Sequence, residues 1–134
     1  MNRLYSVPVL LAVALVSGCN DDTTDPVVLE DCPAAVTVAV GSGLNPTFNW
    51  QPQCRLFFIN VEPADAGNDL WTVITRGENG ISPTVAHGVV PAGATQLTEP
   101  AVLEAGTVYK VVLARFTGPG DEDGEIIAIE EFTP

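Results

Sequence analysis

Leu103-Glu104-Ala105-Gly106-Thr107-Val108-Tyr109-Lys110-Val111-Val112-Leu113 is the stretch on which the fold turns. Gly106-Thr107 reads as a turn. Val108 to Phe116 then reads as a strand, because its aliphatic and aromatic side chains alternate with period two. If Tyr109, Val111 and Leu113 face inward, then Val112, Ala114 and Phe116 face outward.

The same grammar runs outward in both directions. Val36 to Val40 alternates with Thr and Ala, and Gly41-Ser42-Gly43 turns it. Thr47-Phe48-Asn49-Trp50 places Phe48 and Trp50 on one face. Arg55 to Val61, Leu70 to Thr75, Thr95 to Thr98 and Glu125 to Phe132 are further strand candidates. Ile81 to Val90 holds Pro83 and Gly88, is followed by Pro91, and suits an irregular edge. No stretch shows sustained helical periodicity with caps. About seven short strands at this spacing predict an all-β, antiparallel, seven-strand sandwich over residues 32–134.

The chain has 134 residues, which is one domain's worth. Its formal net charge is −12, and all 17 acidic residues lie after Cys19. Such a surface repels phosphate backbones and anionic lipid headgroups, so nucleic acid is excluded as a partner and membrane attachment must be covalent.

Residues 1–18 have secretory layout. Met1-Asn2-Arg3 is a short positive start, Val7 to Val16 is nearly all apolar, and Ser17-Gly18 are small. The apolar run is shorter than the roughly 20 residues a spanning helix needs. Val16-Ser17-Gly18-Cys19 resembles the lipobox of bacterial lipoproteins: a branched aliphatic residue, two small residues, then Cys. The resemblance implies cleavage before Cys19, a diacylglyceryl group on its sulfur and acylation of its new amino group. Two or three acyl chains anchor stably where one binds reversibly. Asn20 departs from the Asp that retains enterobacterial lipoproteins in the inner membrane, so the resemblance favours the outer membrane. Residues 19–31 read as an acidic, flexible tether, whose residues 20–31 reach roughly 40 Å when extended.

With Cys19 assigned to lipid, Cys32 and Cys54 remain in an oxidising compartment and are expected to pair. Closing a loop of about 22 residues is worth on the order of 3 kcal/mol in the chain-entropy model. Two cysteines and one distant histidine do not make a metal ligand set. No cofactor is expected beyond the acyl lipid.

The Leu103–Leu113 stretch is similar to fibronectin type III domains before and within their sixth strand. Phe48-Asn49-Trp50 matches the Trp of that family's second strand. The resemblance covers roughly residues 34–134. It implies an Ig-like sandwich in which Tyr109 forms a tyrosine corner, its hydroxyl bonded to backbone near the turn. The cysteine pair departs from the family, most of whose members lack disulfides. In that topology Cys32 precedes the first strand and Cys54 follows the second, so both lie at one end, where the tether also leaves.

Four features are candidates for function. Leu56 and Phe58 on the third strand, with Val112 and Phe116 on the sixth, would form an outward apolar patch, the mark of a partner site. Asp121, Asp123 and Glu125, in the acidic turn between the last two strands, could gather Ca²⁺, although a solvated hairpin is the plainer reading. Trp71 could be a sugar-stacking platform, or a core residue. His87, the only histidine, has Ser42 and Ser82 as the only serines after Cys19, with no nucleophile motif. The expectation is therefore a non-catalytic, lipid-anchored envelope protein that binds another envelope protein in adhesion or assembly. Carbohydrate or peptidoglycan binding is the alternative.

Overall fold

The computed structural model describes residues 27–118 and 124–134. The described strands are β1 (Thr37–Val40), β2 (Thr47–Gln51), β3 (Phe58–Pro63), β4 (Trp71–Ile74), β5 (Val85–Ala86), β6 (Thr95–Thr98), β7 (Tyr109–Phe116) and β8 (Gly124–Phe132). They form two antiparallel sheets, β1-β2-β5 and β6-β4-β3-β7-β8. The architecture is an all-β sandwich. The described strands number eight, against the seven expected. The irregular stretch 81–90 contributes a two-residue strand on β2, and Thr95–Thr98 adds to the edge of the larger sheet.

The period-two pattern sets the inner faces. Phe48 and Trp50 of the smaller sheet meet Ile59, Val61, Trp71, Val73, Val111 and Leu113 of the larger one, all buried. A buried indole needs an acceptor for its N–H. Trp50 Nε1 donates to Cys54 O at 2.9 Å, and Trp71 Nε1 donates to Gln96 Oε1 at 3.0 Å. The Tyr109 hydroxyl accepts the Glu104 N–H at 2.9 Å, which pins the segment entering β7 to the start of that strand.

Bulges break the alternation at Phe57–Phe58, on β8, and on β6, where Leu97 is the extra residue opposite Thr72–Val73. Phe57 N–H bonds Ala114 O, and Phe58 is also the register partner of Ala114, so two residues face one. Both phenylalanines are then placed on the outer side, and Leu56 turns inward. The second lies on β8, where Ala128 pairs with Leu113 and Ile126 with Ala114. Ile127 is the extra residue; it is buried, while Ile126 and Ile129 face out.

Cys32 and Cys54 form a disulfide with Cα atoms 4.8 Å apart. Around it, Cys32 N–H bonds Arg55 O and Arg55 N–H bonds Glu30 O, both at 2.8 Å, a short parallel bridge. Asp31 and Arg55 are ion-paired at 3.0 Å, and Arg115 Nη1 reaches Cys32 O at 3.2 Å. Pairing with the domain thus begins at Glu30, two residues ahead of the first bridged cysteine. Replacing both cysteines (Cys32→Ser with Cys54→Ser) is expected to lower unfolding free energy by about 2–4 kcal/mol, read from urea denaturation. An unchanged midpoint would show that loop closure contributes nothing here.

Candidate functional site

The outer face of the larger sheet carries two cross-strand rows. One runs Thr95, Ile74, Phe58, Ala114, Ile126; the other runs Thr98, Thr72, Asn60, Val112, Ile129. Buried polar groups on this face are satisfied. Thr72 Oγ1 donates to Asn60 Oδ1 at 3.0 Å, and Asn60 Nδ2 donates to Asp69 Oδ1 at 2.9 Å. A third row, Glu62, Lys110 and Glu131, closes the band at the end remote from the disulfide. Lys110 and Glu62 are ion-paired there at 3.1 Å.

The anticipated patch of Leu56, Phe58, Val112 and Phe116 is corrected on this face. Leu56 is fully buried, bridged to Ile81, because the Phe57/Phe58 bulge reverses its direction. Val112 does face outward, between Asn60 and Ile129 on the flanking strands, and is buried. Phe58 and Phe116 are part-buried. The exposure lies on residues the alternation did not single out: Leu97 at 53%, Ile126 at 59% and Ile129 at 55%. Finding Ile126 and Ile129 would have required the β8 bulge, which depends on the partner strand rather than on local spacing.

At the disulfide end the band deepens into a groove of about 230 Å³, lined by Phe57, Ile74, Leu97 and Phe116, with Arg76 beside them. Phe57 sits edge-on to Phe116 at 5.9 Å between centroids. The Asn79 amide holds Phe116 by its backbone in both directions: Phe116 N–H donates to Oδ1 at 2.7 Å, and Nδ2 donates to Phe116 O at 3.1 Å. Gly124 leaves room for the Phe57 ring, since a Cβ there would lie 2.8 Å from its Cζ.

The other candidate residues fall elsewhere. Trp71 is fully buried, so it offers no sugar-stacking platform. His87 is buried at the end of β5, its ring edge-on to Trp71 at 5.3 Å and its Nε2 2.9 Å from Ala101 O. Neither Ser42 nor Ser82 is its hydrogen-bond partner. Glu125 pairs with Arg115 at 2.7 Å. Asp121 and Asp123, and Cys19 with its flanking motif, lie outside the described residues.

Charge is segregated between the layers. Residues 32–54 and 79–98 hold no Asp, Glu, Lys or Arg. The whole smaller sheet lies within these two stretches. The acids therefore sit on β3, β8, the loops of the larger sheet and the N-terminal segment, while β7 carries Lys110 and Arg115.

Ile126→Lys and Ile129→Lys are expected to change unfolding free energy by no more than about 0.5 kcal/mol, because both side chains already face water. Leu56→Lys is expected to cost more than about 4 kcal/mol, because it buries an unpaired ammonium. Urea denaturation of the three variants checks the contrast, and equal losses would refute the assignment of faces. A scan against protein-family models and searches of curated proteins and of solved structures return no match.

Proposed function

We propose that this chain is a lipid-anchored protein of the bacterial cell envelope whose fibronectin type III-like domain is a non-catalytic protein-interaction module. The observation that carries the binding role is the outer face of the larger sheet. Leu97, Ile126 and Ile129 are each more than half exposed on one continuous band with Phe58 and Phe116. A contiguous apolar band left in water on an otherwise acidic surface is the usual sign of a partner site. The Tyr109 corner and the inward Trp50 support the fibronectin-like reading.

The anchor rests on the sequence of residues 1–19. Cleavage before Cys19 and acylation there would tether the domain through residues 20–31, with the outer membrane favoured by Asn20. The glycan-binding alternative loses its best support, since both tryptophans are internal.

Two measurements test the proposal. Intact mass of the membrane-extracted protein is expected to match a chain beginning at Cys19 plus diacylglyceryl and acyl groups; the mass of unmodified Met1–Pro134 would overturn the anchor. In-cell crosslinking followed by mass spectrometry is expected to recover one dominant envelope protein. Its yield should fall at least about tenfold with Ile126→Glu plus Ile129→Glu, each of which sets a carboxylate against the apolar contact. Undiminished recovery with that pair would move the interface elsewhere.

A further inference from the structure

At the end of the sandwich opposite the disulfide, three segments converge: residues 44–45 of the β1–β2 loop, residues 86–89 leaving β5, and residues 100–103 approaching β7. They enclose a groove of about 560 Å³. Its lining carries no formal charge, and Val89 and Val102 on its walls are 61% and 88% exposed. His87 also lines it, only 5% exposed, with Nε2 held on Ala101 O. A carbonyl only accepts, so Nε2 carries the proton in this contact and Nδ1 presents a lone pair. That Nδ1 is buried and has no hydrogen-bond partner among the described residues. Glu99 and Glu104 bracket the Pro100–Leu103 wall, and both are exposed with no ion pair among the described residues.

We propose that this groove docks an extended segment of a partner protein in which an aliphatic side chain stands next to Lys or Arg. Uncharged aliphatic walls select an apolar anchor, and a pocket of this size suits side chains rather than a bulky domain. The two carboxylates flanking one wall, on a chain of net charge −12, attract a cationic neighbour and repel an anionic one. The site lies on a different face from the band of Ile126 and Ile129, so the crosslinking result there leaves this inference untouched.

The test is an NMR titration of the ¹⁵N-labelled full chain with an acetylated, amidated Lys-Leu-Lys-Val-Lys peptide and its Glu-Leu-Glu-Val-Glu counterpart. The ring nitrogens of the only histidine report on the groove, together with the amides of Val89, Ala101 and Val102. The Lys peptide is expected to give saturable shifts there, and the Glu peptide to bind at least about tenfold more weakly. Glu99→Gln with Glu104→Gln is expected to weaken the Lys peptide by about tenfold, as lost charge complementarity requires. Val102 is so exposed that Val102→Asp leaves the fold intact, checked by the amide spectrum; that variant should abolish binding. Ile126→Glu should leave it unchanged. Equal response to both peptides, shifts centred on Ile126 and Ile129, or response only to phosphatidylcholine vesicles would each overturn the proposal.

Discussion

Burying an indole obliges the protein to place an acceptor beside it, and two such obligations organise this sandwich. An unmet buried N–H costs about 1–3 kcal/mol, a large part of a small domain's stability. Trp50 meets its obligation with the carbonyl of Cys54, which ties the end of β2 to the bridged cysteines. Trp71 meets its own with the Gln96 side chain, which holds β6 on the sheet edge. The His87 ring rests against Trp71 and fastens Ala101, and Ala101 N–H returns to Leu70 O beside β4. From two rings, hydrogen bonds and packing extend to both ends of the molecule.

What could be read in the chain followed from local chemistry. Period-two alternation put Phe48 and Trp50 on one face, and the resemblance of the Leu103–Leu113 stretch to fibronectin type III domains implied the Tyr109 hydroxyl's bond to backbone. The expectation that Cys19 carries lipid left Cys32 and Cys54 to pair, and they are bridged. What could not be read depends on a strand's neighbour. The register of Phe58 against Ala114 decides that Leu56 is core, and nothing in Arg55-Leu56-Phe57-Phe58 says so. The run Glu125-Ile126-Ile127-Ala128-Ile129 admits either alternation until the β8 bulge selects one. The extra strand arose for a similar reason, since Ile81 to Val90, with Pro83 and Gly88, reads as an irregular edge and Val85–Ala86 is a strand because β2 pairs with it.

The separation of charge between the two layers gives the domain an electrostatic polarity. The smaller sheet presents Thr37, Ala39, Asn49 and Gln51, short uncharged side chains, toward solvent. The larger sheet and its loops bear the acids, and its apolar band is interrupted by few cations. Three of these, Arg55, Lys110 and Arg115, are neutralised by adjacent carboxylates. A partner approaching from the larger-sheet side therefore meets a strong negative potential before it meets apolar surface, which favours basic partners in the encounter and leaves the apolar contacts to hold them.

The junction of Glu30 to Cys32 with Arg55 also has a mechanical meaning. Tension arriving along the N-terminal segment meets a backbone pairing that runs parallel to Arg55, so its hydrogen bonds share the load in shear instead of opening one at a time. Beyond that pairing the load divides at Cys32, and the sulfur bridge hands it directly to Cys54. Residues 33–53, which include β1, β2 and the buried Phe48 and Trp50, lie inside a covalently closed ring. Stretching the molecule from its N-terminal side cannot draw that ring out past the span of its bridge, so β1 and β2 stay within one closed loop even where the strands beyond Arg55 are drawn out.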